Sequence, residues 1–400
     1  MTPVAVTGWA WRTPLGDDVD EVVRRLAAGE RAAAPFARFP TDSYACVWAA
    51  AIAGDPVPSR HQRFLRRMGG FALEVACEAA RRALPASRGA RVGLFFGYGG
   101  LRAHWNDMMP ALARQEPDGA WAWERGLNLL HPFWMLQHLS NNAHALAAAE
   151  LGASGDGLLL AGANAGAQAL GAAARALACG AVDAALVVAY DTLLEPETLV
   201  ELATRGACLN RLGRPPAAPY DEQSAGFVPG EAAAAVVLER VGDARRRALA
   251  LVNAWDAADG GPAGPGRLAA VANLLASLGA EAGAQAAIGV VDGAAIGDRA
   301  TDGEERRLLA ARPDLVSAST PICATLGAMG QLGAAAAVVQ TIALGAALRA
   351  GHLPPVPALA RGAPGPLRPL AAAEATTARA GLALSTGAPG LAGAVRVTVP

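Results

Sequence analysis

Three features of the amino-acid sequence predict an α/β protein. Short β-type runs alternate with alanine-rich helical stretches along the 400 residues, which is the pattern of sheets sandwiched by helices. Hydrophobic residues make up 53% of the chain and aromatic residues only 5%. Ala and Gly therefore carry much of the apolar content, which favours helices packed closely against sheets. Two Gly/Ala-rich segments, 163–178 and 325–340, share the plan of a helix entered from a strand, which suggests two related halves.

The individual elements follow from local periodicity and composition. Strands are predicted at residues 4–7, 92–96, 158–161, 184–189, 233–239, 249–255, 380–384 and 394–399. Helices are predicted at residues 18–28, 70–84, 164–178, 268–278, 304–311 and 326–348. No long low-complexity linker separates the halves. The boundary is placed between the strands predicted at 233–239 and 249–255, which gives halves at residues 1–240 and 241–400.

The segment 326–348 has no charged residue and is long enough to cross a bilayer. It consists mostly of Ala and Gly, however, and it contains Gln331, Gln340 and Thr341, which gain little from lipid. We therefore expect a helix buried in a large α/β core, and no membrane span.

Charge and cysteine content exclude several function classes. The formal net charge is −1 and no basic cluster occurs, so no nucleic-acid partner is expected. All 34 basic residues are arginines, so no mechanism here can use a lysine ammonium. The 5 cysteines are scattered and show no metal-ligand spacing. We expect reduced thiols in a cytoplasmic protein, with no signal peptide, metal or cofactor.

Several segments carry a resemblance to a known family. The most specific is PYDEQSAGFVPGEAAAAVVLE, residues 219–239, which is close to the pattern P-F-D-x-x-R-D-G-F-V-x-G-E-G-A-x-x-x-V-L-E. It departs from that pattern at Ser224, Ala225 and Ala232. Segments 4–30, 91–100 and 131–152 match the same family in the same order. Together they resemble the β-ketoacyl synthase branch of the thiolase superfamily, which implies a five-layer αβαβα fold.

The resemblance places four catalytic positions, and none holds a catalytic side chain. The family nucleophile, a Cys before a helix, falls on Ala163, with Asn164 as the alternative. The first His, in the motif N-A-H-G-T, falls on Ala294. The Lys and the second His fall on Ser319 and Ala324. An elongating ketosynthase needs the thiolate, both His and the Lys, so we expect no enzyme activity from this chain alone.

An inert ketosynthase implies a partner, because ketosynthases are dimers whose acyl pockets meet at the interface. The resemblance therefore implies a chain-length factor of a type II polyketide synthase. Such a subunit forms a heterodimer with an active ketosynthase and receives the acyl chain from acyl carrier protein. Lacking the His pair, the chain does not match a stand-alone decarboxylase.

A bulky segment, residues 101–142, is the candidate for the tunnel wall. Four of the eight tryptophans lie in it: Trp105, Trp121, Trp123 and Trp134. Trp134 matches the second aromatic of the family's P-F-F gate. We predict that Trp134, Phe133, Trp105 and Met109 line the tunnel. An ordinary packed core is the alternative for this segment.

Two further functions remain open from the sequence. One is a scaffold that docks carrier protein without touching the chain. The other is an enzyme with unrecognised chemistry on residues such as Asp292 and Asp298. The product class, an aromatic poly-β-ketone or a reduced polyene, also stays open.

Overall fold

A continuous sheet of eleven strands forms the centre of the protein in the computed structural model. The structure describes the chain except residues 1, 85–90, 100–104, 114, 116, 119–125, 207, 209, 211–215, 225, 243, 245–246, 260–267, 282–286 and 388–389. The strands are β1 (Val4–Arg12), β2 (Ala34–Pro35), β3 (Trp48–Ala49), β4 (Val92–Tyr98), β5 (Leu158–Ala161), β6 (Ala184–Thr192), β7 (Glu231–Arg240), β8 (Ala250–Ala258), β9 (Val290–Asp292), β10 (Pro321–Cys323), β11 (His352–Leu353), β12 (Arg368–Pro369), β13 (Glu374–Ala375), β14 (Ala380–Gly387) and β15 (Leu391–Thr398).

The described helices alternate with these strands as predicted. They are α1 (Val19–Ala27), α2 (Arg67–Ala83), α3 (Trp105–Leu112), α4 (Trp134–His138), α5 (Asn142–Leu151), α6 (Ala165–Ala178), α7 (Pro196–Thr204), α8 (Ala269–Glu281), α9 (Arg299–Ala310), α10 (Thr325–Met329) and α11 (Ala336–Ala350). Short 3-10 turns lie at Gln62–Phe64, Leu127–Leu129 and Gly333–Ala335.

The strand pairing repeats in the two halves of the chain. In the first half the order is β1-β7-β6-β4-β5, and in the second it is β8-β15-β14-β9-β10. In both orders the first two pairings are antiparallel and the last two are parallel. The antiparallel pairing of β1 with β8 joins the halves edge to edge, and the predicted boundary at 240/241 falls in the connection between β7 and β8.

The helices form three layers: one between the two halves of the sheet and one on the outer side of each half. Helix α6 contacts β4 and β6 of the first half and β8 and β15 of the second, and α11 likewise contacts β7, β14 and β15. These two helices therefore lie between the halves. Helices α2 and α5 cover the outer side of the first half, and α8 and α9 cover that of the second. The predicted thiolase-like αβαβα arrangement is confirmed.

Small residues make the central layer possible. A Cβ on Gly166 of α6 would overlap the carbonyl oxygen of Ala334, so a larger residue would push the helix away from the 3-10 turn. This close approach explains why the sequence supplies Gly and Ala, not aromatic residues, to these helices.

The prediction of one helix over 326–348 is wrong. Helix α10 ends at Gly330, whose φ of +79° lies in a region that favours glycine. The next residue, Gln331, forms a parallel bridge with Pro229, and the helix resumes only after the 3-10 turn. Of the helices in the described ranges, the segment Gly333–Ala350 is long and apolar enough to cross a membrane, but 78% of it is buried inside the protein. It is the buried core helix that the sequence predicted.

Candidate functional site

The turn between β5 and α6 holds the position predicted for the nucleophile. Gly162 opens the turn with a φ of +124°, and its amide donates to the carbonyl of Tyr98 at 3.0 Å. Half-buried Ala163 follows, and buried Asn164 is the residue before the first turn of the helix. A thiolate at such a helix N-terminus would be stabilised by the helix dipole, but neither a methyl group nor an amide can attack a thioester. The thiol nearest in sequence, Cys179, is exposed at the opposite end of α6.

The ends of two neighbouring parallel strands bring together the two predicted histidine positions. Asp292 of β9 pairs with Cys323 of β10, so Ala294 and Ala324 both follow the carboxyl ends of these strands. Each is 1% exposed. Their methyl groups offer no acid, base or hydrogen-bond donor to a reacting group.

Ser319, at the predicted lysine position, lies apart from these alanines on the surface. It precedes β10, and its hydroxyl is 3.0 Å from the hydroxyl of Ser317. The four positions therefore present three methyl groups and one exposed hydroxyl.

A buried polar network surrounds the alanines. The Glu305 carboxylate accepts from the Ala294 amide at 2.8 Å and from the Tyr220 hydroxyl at 2.9 Å. The Asp302 carboxylate accepts from the Tyr220 amide at 2.9 Å. Gln331 donates to the carbonyls of Ala294 and Ala295 at 2.9 and 2.7 Å. These bonds fix the loop after β9, which carries Ala294 at the predicted histidine position.

Burial raises the pKa of each carboxyl in this region. The pKa of Asp302 and of Glu305 is raised to about 7, and that of Asp292 to about 6, mainly because burial disfavours the charged form. Backbone amides oppose this shift in all three cases. Near neutral pH these groups are therefore close to their protonation midpoints.

The two aspartates considered for an alternative chemistry hold helix ends. Fully buried Asp292 accepts from the amide of Thr325 at 2.8 Å, at the start of α10. Asp298 accepts from the amide of Thr301 at 2.9 Å and caps α9. Both contacts are ordinary N-terminal helix contacts.

A cavity of about 100 Å³ lies at the ends of β4 and β6. It is also bordered by α2 and by the segment that connects α4 to α5. Its lining includes Met68, Tyr98, His138, Asn142, Tyr190 and Thr192. Tyr98, whose carbonyl binds the Gly162 amide, links the cavity wall to the turn that holds Ala163.

Three of the predicted tunnel residues, Trp134, Phe133 and Met109, are absent from the lining of this cavity among the described residues. Half-buried Trp134 packs against His138, with ring centroids 4.6 Å apart, and His138 lines the cavity. Phe133 packs edge-on against Phe64 at 5.2 Å. Met109 is 46% exposed.

The other three tryptophans of residues 101–142 cannot be placed relative to the cavity. Trp105 begins α3, but its side chain lies outside the described part of the chain, as do Trp121 and Trp123. Sequence reasoning missed Tyr98 and Tyr190, which come from separate strands. In the sequence each appears only as a Tyr at the end of an apolar run. The strand pairing that makes the two residues neighbours cannot be read from the sequence.

Comparison with known families settles the relationship. The family profile described as Beta-ketoacyl synthase, N-terminal domain, matches residues 1–244. The chain belongs to the β-ketoacyl synthase family. Two curated relatives are 3-oxoacyl-[acyl-carrier-protein] synthase 2 of Coxiella burnetii, 26% identical, and that of Synechocystis sp., 25% identical. Each match covers 61% of this chain and only 59% of the relative.

Two solved structures share the ketosynthase fold over the whole chain. A β-ketoacyl synthase from Burkholderia phymatum superposes with a TM-score of 0.84 at 19% identity and covers 100% of both chains. The ishigamide ketosynthase/chain length factor superposes with a TM-score of 0.81 at 20% identity and covers 100% of this chain and 99% of that one.

One region of this ketosynthase-family chain leaves apolar side chains in solvent. Most of its large exposed hydrophobic residues lie between α3 and β5. We call the set the apolar face: Met109, Leu112, Leu129, Met135, Leu136, Leu139 and Leu158. Met135 is 72% exposed and Leu158 is 43% exposed. Leu158 belongs to β5, an edge strand of the sheet that pairs only with β4 among the described strands. An apolar edge strand of this kind favours association with another chain.

Proposed function

We propose that this chain is a non-catalytic ketosynthase homologue, a chain-length factor, that pairs with an active ketosynthase. In the pair it shapes the acyl tunnel and sets the length of a polyketide or polyene chain. The observation that carries the proposal is that the positions where the family resemblance predicts catalytic groups hold Ala163 (or Asn164), Ala294, Ser319 and Ala324, within an intact ketosynthase fold.

Inertness is supported by the surroundings of these positions. Ala294 and Ala324 are buried, and the nearby carboxylates accept hydrogen bonds from the backbone and from Tyr220. Decarboxylation of a malonyl group needs donors aimed at the oxyanion that develops. An alanine at each histidine position supplies none.

Pairing is supported by the apolar face and the edge strand β5. Exposed side chains such as Met135 and Leu158 lose water contact when a partner covers them, which stabilises association by about 25 cal/mol per Å² of apolar area. The likeness to the ishigamide ketosynthase/chain length factor favours an active ketosynthase as that partner. We expect an obligate interface of roughly 2,000 Å² or more.

Tunnel shaping is supported by the position of the 100 Å³ cavity. Its lining includes Tyr98, whose carbonyl binds the Gly162 amide in the Ala163 turn, and Leu139 of the apolar face. A chain delivered by acyl carrier protein and bound to the partner's cysteine would extend across the interface into such a space. The carrier protein is therefore the second proposed partner.

The first experiment tests inertness. The purified chain is incubated with acyl and malonyl carrier proteins, and intact mass and CO₂ release are measured. We expect neither an acyl adduct nor CO₂. An adduct on the chain would contradict the proposal.

The second experiment tests pairing and separates the proposal from a carrier-docking scaffold. Co-expression with its active ketosynthase should give a 1:1 heterodimer by native mass spectrometry. Changes in the cavity wall should alter product length. A stable monomer beside a functional ketosynthase homodimer would contradict pairing, and unchanged product lengths would favour the scaffold.

A further inference from the structure

Two tyrosines project from neighbouring strands onto the wall of the 100 Å³ cavity. Tyr98 ends β4 and Tyr190 lies near the end of β6, and the parallel pairing of these strands places them in register. Their rings stack with centroids 6.3 Å apart. Both line the cavity, so a ligand there would meet the pair together.

Neither hydroxyl forms a hydrogen bond within the described part of the chain. Asn142 and Thr192 of the cavity wall, in contrast, already have partners. The Asn142 amide donates to the carbonyls of Phe64 and Leu136. The Thr192 hydroxyl donates to Glu231 at 3.0 Å. The two tyrosines thus bring unused donors to the cavity wall.

The Tyr190 hydroxyl keeps its proton at any physiological pH. Burial, with smaller contributions from Tyr98 and Asp191, raises its pKa above the usual value. Because neither hydroxyl has a hydrogen-bond partner among the described residues, a ligand oxygen would give each phenol an acceptor inside the cavity. A hydrocarbon offers no such oxygen.

We propose that Tyr98 and Tyr190 bind carbonyl oxygens of the acyl chain, so that the substrate class is a β-keto chain and not a hydrocarbon polyene. The inference rests on the proposed function, because it takes the cavity as part of the acyl tunnel. A site built to hydrogen-bond a substrate oxygen discriminates strongly against an analogue that lacks it.

The test uses the heterodimer and two hydrolysis-resistant probes, β-ketooctanoyl pantetheine amide and octanoyl pantetheine amide. Calorimetry gives the Kd of each probe for the unchanged heterodimer and for Tyr98→Phe, Tyr190→Phe and the double variant. We expect the β-keto probe to bind more tightly, and each lost hydroxyl to reduce its affinity about fivefold. The octanoyl probe should bind all variants equally.

Tyr44→Phe is the matched control, since Tyr44 lies in a separate cluster with Phe39 and should leave both Kd values unchanged. Equal binding of the two probes by the unchanged protein, or a preference that survives the double variant, would overturn the inference. Failure to form the heterodimer before any probe is added would contradict the proposed function, and this inference with it.

Discussion

The region around Ala294 and the apolar face differ in how far their side chains are buried. Around Ala294 the carboxylate of Glu305 and the amide of Gln331 bind backbone and side-chain partners, and the packing is closed. On the apolar face, Met135 and Leu158 remain in solvent although the chain has a large core elsewhere. The first region is buried within one chain. The second exposes apolar area that a partner would cover, as the proposed function requires.

The largest effect is expected from charged substitutions on the apolar face. Met135→Arg and Leu158→Arg each place a charge where a partner should exclude water, and each should raise the Kd of the heterodimer about thirtyfold or more. Val200→Arg is the control, because Val200 is also 56% exposed but lies on α7, outside this face. Analytical ultracentrifugation measures the Kd. Equal weakening by all three variants would remove the distinction between the face and the rest of the surface.

The second prediction concerns the buried carboxyl groups near Ala294, which belong to Asp292, Asp302 and Glu305. Because folding raises the pKa of Asp302 and Glu305 to about 7 and that of Asp292 to about 6, the folded chain holds protons that the unfolded chain releases. Their contribution to stability is complete below about pH 4 and is lost as the pH rises through about 7. We expect the free energy of unfolding to fall by several kcal/mol over that window, because a pKa difference of one between the folded and unfolded chain corresponds to about 1.4 kcal/mol.

Chemical denaturation between pH 5 and 8 measures this slope. Glu305→Gln keeps the shape and one hydrogen-bond acceptor but cannot titrate, so it should flatten the profile. A stability that rises with pH across this window in the unchanged chain would contradict the assignment.

The third prediction sharpens the contrast between closed and open positions. Ala324→His inserts a ring at a site that is 1% exposed and should destabilise the fold by about 1–3 kcal/mol. Ala163→His, at a half-buried turn, should destabilise the fold by less than about 1 kcal/mol, because substitutions outside a packed core usually have small effects on stability. Differential scanning calorimetry compares the two variants. Equal costs would show that the two positions are packed alike.

The smallest effect is expected at Trp134. Its indole packs against His138 of the cavity wall, so Trp134→Ala should leave the heterodimer folded and shift products toward longer chains. In a packed core the same change would cost about 3–5 kcal/mol and leave product length unaltered. Reconstitution with the partner and carrier protein, read by mass spectrometry, distinguishes these outcomes. Phe133→Ala removes the contact with Phe64 and is compared with Trp134→Ala in the same assay.

Local patterns predicted most of the elements, because strands such as β5 and helices such as α6 have clear composition and periodicity. What they could not predict depends on distant contacts. The break at Gly330 arises from the bridge between Gln331 and Pro229, which joins segments about a hundred positions apart. The wall formed by Tyr98 and Tyr190 arises from strand register. The order of motifs, in contrast, was enough to identify the fold, since each motif sits at a fixed place in it.

The space around Gly293 has an evolutionary consequence. A Cβ at this position would overlap the hydroxyl of Tyr220, whereas the family motifs have Ala in place of Gly293 and Phe in place of Tyr220. The two changes are compatible only in one order. Tyr220 must lose its hydroxyl before Gly293 can gain a methyl group. A return to the family residues at these two positions would therefore have to follow that order, which is a constraint separate from the four predicted catalytic positions.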